Sequence, residues 1–201
     1  MNLFMRAAEA LRARSEGTGV EDGDLEIVRN HDALVCPYER GVPLEAAYGG
    51  RVAQFVTGAP VEARVKVSML FGAPLAGERE RSAAGAVINA VAGFFGFARN
   101  LRGCRIEDRP PCLRQLVAKT ADRPVRLIGQ SPLLEHAFAG RIADSTDAAG
   151  VVLVLGHGLV TEAGLDEVEH AKPGTEVLMV GPSTGGTAAL VDLPHWCPYG
   201  R

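Results

Sequence analysis

The chain has 201 residues, of which 47% are hydrophobic and 22% charged, and its formal net charge at pH 7 is −3. This composition is typical of one large or two compact globular domains and argues against a disordered chain. No basic stripe of the kind that binds nucleic acid is present, so we expect no nucleic-acid partner.

The N-terminal stretch Met1–Glu16 is charged along its length and lacks the apolar core of a secretion signal, so it predicts an amphipathic helix. The most apolar window, Ala83–Ala98, is too short to span a bilayer and predicts a buried helix. The four cysteines are widely spaced, and without an export signal we expect no disulfide framework. We therefore expect a cytoplasmic protein that does not bind membranes.

The first half of the chain has the pattern of an α+β domain. Residues rich in β-branched and aromatic side chains predict strands at Leu25–Arg29, Ala33–Cys36 and Arg51–Thr57, and Gly49-Gly50 predicts a hairpin turn. The segment Val61–Phe71 has a mixed pattern and stays unassigned.

The segment Asn100–Asp122 is polar and carries Pro110-Pro111, so we place the link between two domains there. Beyond it, strands alternate with helical segments. The strands are predicted at Val125–Ile128, Val151–Leu155 and Val177–Val180, and the helices at Leu133–Ala139 and Leu165–Ala171. This alternation predicts a small Rossmann-like parallel sheet with right-handed crossovers, in a domain of residues 116–201 that follows an α+β domain of residues 1–115.

Each predicted parallel strand ends at a glycine, and ligands of such sheets bind beyond the carboxyl ends of the strands. We therefore expect a ligand site built from these turns and from one polar residue of the long helix. The candidate ligand-binding residues are Gly129, Ser131, Gly156, His157, Gly158, Gly181, Pro182, Ser183, Thr184 and Asn89. Asn89 must find hydrogen-bond partners if it is buried, either within the protein or at the cleft.

The turn Gly181–Thr187 offers two hydroxyls and several backbone donors, which suits an anion or a carboxylate. The alternative is a tight strand-to-helix turn whose hydroxyls cap the next segment. The turn also fits the pattern G-x-S-x-G, but only Asp192 and His195 follow Ser183, which leaves too little chain for a serine hydrolase.

Metal binding is a separate possibility. Cys36, which ends a predicted strand, and His157, in the second glycine turn, are candidate ligands for a transition-metal ion. No C-x2-C or H-E-x-x-H spacing is present, and Cys104 and Cys112 are expected to be small buried hydrophobic residues.

Three segments, ERSAAGAVINAV at Glu80–Val91, GHGLVTEAGLD at Gly156–Asp166 and MVGPSTGG at Met179–Gly186, resemble those of the heavy-metal chelation family. The resemblance implies an enolase N-terminal-like domain followed by a Rossmann-like domain, with a ligand site between them. The turn Gly158–Gly164 departs from the family pattern because it lacks the usual Asn.

These features leave three functions open. The favoured one is binding or handling of a metal ion, or of a metal-complexing small molecule, in the interdomain cleft. The alternative is an enzyme acting on a small anionic metabolite, with His157 as acid–base and the Gly181–Thr184 turn as anion holder. The third is a structural or partner-binding protein. We also expect a homodimer, since Rossmann-like domains with exposed sheet edges commonly dimerise.

Overall fold

The computed structural model describes residues 1–201, and its first half is built on an antiparallel sheet. In chain order the elements of this half are α1 (Leu3–Arg14), β1 (Asp24–Arg29), β2 (Val42–Tyr48), β3 (Arg51–Thr57), β4 (Ala63–Lys66) and α2 (Glu78–Phe94). The four strands lie in the order β3-β2-β1-β4 and every neighbouring pair is antiparallel.

The predicted hairpin turn is confirmed. Tyr48 pairs with Arg51 across a two-residue loop, and Gly49 and Gly50 have φ angles of 54° and 78°. Positive φ at both central positions is the geometry of a type I′ turn, which favours glycine.

The predicted strand at Ala33–Cys36 is wrong, because local turns use its backbone groups. The side chain of Asn30 accepts from the backbone N–H of Asp32, and the carbonyl of Asn30 accepts from Ala33. Strand β2 was not predicted, since its Pro, Glu and Ala residues have weak strand propensity. Strand β4 falls in the segment that the sequence left unassigned.

The second half is built on a parallel sheet. Its elements are α3 (Arg109–Thr120), β5 (Val125–Ile128), α4 (Pro132–Ala137), β6 (Val151–Leu155), α5 (Gly156–Leu159), α6 (Glu162–Glu169), β7 (Glu176–Val180), α7 (Gly185–Leu190) and β8 (His195–Trp196). The strands lie in the order β5-β6-β7-β8 and are all parallel. The α/β fold class and the three predicted parallel strands are therefore confirmed.

Two elements of this half were missed. Strand β8 has only two residues, too few for a periodic pattern. Helix α3 lies in the predicted linker and spans the predicted boundary at residues 115/116. Its Pro110 and Pro111 sit in the first turn, where a helix loses nothing from a missing N–H. The position of the domain boundary stays a prediction.

The order of the parallel sheet reverses at β5. Helices α3 and α4 pack on one face of the sheet, whereas α6 and α7 pack on the other, with α2. After α4 the chain makes a parallel bridge, Ile142 with Val125, on the side of β5 away from β6. If this bridge is counted as a strand, the chain first runs outward from β5 to the bridge and then returns to β6. The crossovers on the two faces of the sheet then have the same hand. The strand order therefore reverses between β5 and β6.

The two halves share one apolar core rather than meeting across an open cleft. A single cluster of 36 buried residues joins α1, α2 and the antiparallel sheet to Val152, Val154 and Met179 of the parallel sheet. Helix α2 lies at the centre, in contact with β2, β3, α1 and α7. None of the helices is both long and apolar enough to cross a bilayer.

Helices α2 and α7 approach closely at Gly186. A Cβ atom at Gly186 would lie 2.5 Å from Asn89 Oδ1 and 2.9 Å from Asn89 Cα. We expect Gly186→Ala to destabilise the protein. Overpacking costs about 1–3 kcal/mol, whereas the higher helix propensity of alanine stabilises the helix by about 1 kcal/mol at most. The measurement is the free energy of unfolding in urea.

Gly58→Ala is the matched control, since a Cβ at Gly58 meets nothing within 4 Å. Equal stabilities of the two variants would contradict close packing of α2 on α7.

Candidate functional site

The centre of the junction between the two halves is Asn89, which is fully buried in α2. Its amide nitrogen donates to the carbonyl oxygens of Gln54 (2.9 Å), Ser183 (3.0 Å) and Pro182 (3.2 Å). Its amide oxygen accepts from the N–H of Gly186 at 2.9 Å. Both the donor and the acceptor of this amide are therefore engaged by backbone groups, which come from both halves.

Ser183 is also fully buried in this junction. Its hydroxyl accepts from the N–H of Val56 at 2.8 Å, which ties the turn after β7 to strand β3. Its own N–H donates to Glu39 Oε1 at 3.2 Å. His195 Nε2 faces the carbonyl of Gly181 at 2.9 Å rather than Ser183, so the arrangement of a serine hydrolase is not formed. Thr184 bonds the same carbonyl through its hydroxyl.

Glu39 is the one buried carboxylate of this junction, with 6% of its surface exposed. Burial raises its pKa to about 8, and its hydrogen bonds with Ser183 offset this rise only in part. Its Oε2 atom is buried without a hydrogen-bond partner. Glu39 is therefore mostly the neutral acid at neutral pH. Its protonation replaces a buried negative charge, which water cannot solvate, with an O–H group.

The glycines that end the predicted strands serve as points of close approach. A Cβ at Gly156 would lie 2.4 Å from Ser183 Cβ, and one at Gly181 would lie 3.0 Å from Glu39 Oε1. A Cβ at Gly158 would lie 2.4 Å from the backbone nitrogen of Gly129. These glycines let the three turns pack against one another and against Glu39.

His157 fills the point where the sheet order reverses. Its Nδ1 accepts from the N–H of Arg40 at 3.2 Å, and its Nε2 lies 3.0 Å from the carbonyl of Gln130. These partners fit a neutral imidazole protonated at Nε2. Burial lowers its pKa, and the positive charge of Arg40 acts in the same direction. Nδ1 thus joins the two halves, whereas Nε2 joins two turns of the second half.

Beside His157 an open groove of about 400 Å³ includes Gly129, Gln130 and Thr161 in its lining. Ser131, buried at the start of α4, has a hydroxyl without a partner and does not line this groove. The structure thus gathers most of the predicted ligand-binding residues into one junction, but the contacts of this junction do not include Ser131. Their assignment as ligand-contacting residues stays a prediction.

The feature that the sequence missed is the convergence of all four cysteines. Although they are far apart in the sequence, the four cysteine residues line one small cavity between the two halves. The lining includes Cys36, Cys104, Cys112 and Cys197, together with Tyr38, Arg109, Gly181, Pro182, Trp196 and Tyr199. Its volume is about 10 Å³, which is room for one water molecule or one ion.

Four elements bring the cysteines together. Cys36 lies in the loop between β1 and β2, Cys104 precedes α3, Cys112 lies in its first turn and Cys197 follows β8. All four are free thiols. No short sequence spacing signals this arrangement, because each cysteine comes from a different loop or from a helix.

Burial controls the chemistry of these thiols. It raises the pKa of Cys36 and Cys104, and it raises that of Cys197 to about 12, with Glu39 acting in the same direction on Cys36 and Cys197. These three thiols are therefore protonated at neutral pH.

Several polar atoms at this cavity are buried and have no hydrogen-bond partner. They are Tyr38 Oη, Arg109 Nε and Trp196 Nε1. Such clustering is unusual, since buried polar atoms are nearly always paired. It indicates a place where a further atom would be bound.

The arrangement is not a ready-made metal centre. No three side chains among the His, Cys, Asp and Glu residues are positioned to hold a metal ion. The two predicted ligands are also separated, since Cys36 lines the cavity and His157 does not. The donor atoms suit a soft ion, but ligation requires the thiols to turn inward.

The comparisons with known proteins support the fold alone. No family model and no curated protein matches this sequence. A solved structure from Pyrococcus horikoshii has a TM-score of 0.50 and 13% identity, over 90% of this chain and 79% of that chain. One from Desulfitobacterium hafniense has a TM-score of 0.50 and 17% identity, over 92% and 81%. Both are described as DUF364 family proteins of unknown function.

The raised pKa of Glu39 predicts how stability depends on pH. Since its pKa is about 8 in the folded protein against an ordinary 4.5, the folded state binds a proton more tightly than the unfolded chain does. The resulting stability is complete below the unfolded pKa and is lost as the pH rises towards 8. Glu39→Gln should remove this slope, which reaches about 1.4 kcal/mol per pH unit.

The measurement is urea unfolding at several values from about pH 5 to about pH 8. Glu26→Gln, at an exposed position, should keep the wild-type slope. An unchanged slope in Glu39→Gln would show that Glu39 is ionised in the folded state.

Proposed function

We propose that the protein binds a single thiophilic metal ion in the cysteine-lined cavity and serves to hold it or pass it on. The observation that carries this proposal is that every cysteine of the chain lines one cavity. Four widely spaced residues of one type have little reason to converge by packing alone. Thiolates are the ligands that soft ions such as Cu(I), Cd²⁺ and Hg²⁺ prefer.

The size of the cavity favours an ion over a metal-complexing organic molecule. About 10 Å³ accommodates one atom-sized occupant, whereas pockets for small organic ligands measure about 300–1,000 Å³. The sequence leaves open either a metal ion or a metal-complexing small molecule between the two halves. The bare ion is therefore the better fit to this cavity.

The protonation of the site favours binding over catalysis. Thiols with a raised pKa are poor nucleophiles, because the thiolate is the reactive form. The acid–base alternative loses support as well, since both ring nitrogens of His157 already face protein atoms. A metal ion must displace thiol protons, so its affinity should increase with pH.

Binding must also move side chains, because no three ligands are preset. Trp196, the only tryptophan of the chain, lines the cavity and should sense this movement.

Cytoplasmic location and assembly into a homodimer stay predictions from the sequence.

The test is a titration of the reduced protein with Cd²⁺, followed by Trp196 fluorescence and by the ultraviolet charge-transfer absorption of metal-bound thiolate. We expect one ion per chain. Cys112→Ser and Cys197→Ser should each weaken binding at least about tenfold, since loss of a residue that only hydrogen-bonds to a metal ligand already costs about 10–100-fold in affinity.

His170→Ala, which changes an exposed histidine far from the cavity lining, is the control and should bind as the wild type does. Circular dichroism checks that each variant is folded. Failure to bind Cd²⁺, or wild-type affinity for Cd²⁺ in both cysteine variants, would refute the proposal.

A further inference from the structure

A second feature of the molecule is an arginine-rich groove on the N-terminal half. It has a volume of about 550 Å³ and lies beside the β2–β3 hairpin turn, between β3, the end of α2 and the segment 98–102. Four of its lining residues are arginines: Arg51, Arg99, Arg102 and Arg201. It shares no lining residue with the cysteine cavity.

Backbone hydrogen bonds bring these arginines together from distant parts of the chain. The N–H of Gln54 donates to the carbonyl of Leu101 at 2.8 Å, which holds the segment 98–102 along β3. Arg102 and Arg201 exchange two backbone hydrogen bonds, at 2.8 and 3.0 Å. The groove is therefore a defined part of the fold.

The positive charge of this groove is poorly balanced by the protein. Arg102 forms one long ion pair, with Glu45 at 3.8 Å, and its Nε atom is buried without a partner. Arg201 Nε donates to the carbonyl of Gly103. Arg51 and Arg99 form no ion pair and no side-chain hydrogen bond.

This concentration of charge does not follow from the overall composition, since the chain carries a net charge of −3. One solvated arginine is ordinary, because exposed arginines gain little from pairing. Four around one groove, one of them with a buried unpaired N–H, favour a bound anion.

The floor of the groove is small and apolar. It includes Ala53, Ala90 and Leu101, and the glycines at 50, 93 and 96 leave it open. The volume lies within the range of sites for small organic ligands. Guanidinium groups bind phosphate and carboxylate oxygens through paired N–H donors.

We propose that this groove binds a small anion that carries at least two phosphate or carboxylate groups. The two chemistries present the same paired oxygens to guanidinium groups. The proposal is independent of metal binding, because the two sites have no residue in common.

The test is isothermal titration calorimetry at low ionic strength with pyrophosphate and, separately, with citrate. We expect the wild type to bind at least one of the two, and salt to weaken that binding. The double variant Arg51→Gln/Arg99→Gln should bind at least about tenfold more weakly. The preferred probe identifies phosphate or carboxylate as the recognised group.

The matched control is Arg6→Gln/Arg79→Gln, which removes the same charge from exposed positions outside the groove. This variant should bind like the wild type. Equal weakening in both double variants, or no binding of pyrophosphate and citrate, would overturn the proposal, as would binding only to a single-stranded oligonucleotide.

A Cd²⁺ titration of Arg51→Gln/Arg99→Gln separates the two proposals. We expect unchanged Cd²⁺ binding, so failure of the anion site leaves the cysteine site standing. Thermal unfolding confirms that the variants are folded.

Discussion

One buried amide, that of Asn89, holds the two sheets in their relative positions. It bonds a carbonyl of strand β3, two carbonyls of the turn after β7 and the first turn of α7. No water reaches these groups, and an unpaired buried donor or acceptor costs about 1–3 kcal/mol. The glycine at position 186 is part of the same contact, because only a residue without a side chain lets α7 reach the amide. The turn after β7 is therefore fixed from the side of α2.

The same turn is fixed from the opposite side by Glu39. Its bond to Ser183 anchors the loop between β1 and β2, and this loop also carries Cys36 and Tyr38. The position of the cysteine cavity thus depends on a carboxyl group that is mostly neutral. A permanently charged carboxylate at this place would pay a desolvation penalty that its hydrogen bonds do not offset. Glu39 thus affects both the packing of the two halves and the pKa of the thiols of Cys36 and Cys197.

The sequence predicted those elements whose pattern is local. Strands β5, β6 and β7 are mostly apolar and each is followed by a glycine, and the hairpin was predicted from Gly49-Gly50 alone. Helix α3 was hidden by Pro110-Pro111, which is equally typical of a loop and of a helical first turn. The junction could not be predicted, because Asn89 and Ser183 gain their roles from partners 35 to 144 residues away in the sequence. The convergence of the cysteines has the same cause, since it exists only in the folded chain.

The shared apolar core has a consequence for how an occupant would enter and leave. Many two-domain binding proteins exchange ligands by hinge opening, which requires an interface that separates at low cost. Here a rotation of the halves would expose part of the 36-residue core, at about 25 cal/mol for each Å² of apolar surface. Exchange of the proposed ion would therefore require local motion of the loop that carries Cys36 or of the C-terminal segment that carries Cys197. Such a site would load and release slowly, and its residence time would be set by loop opening rather than by domain movement.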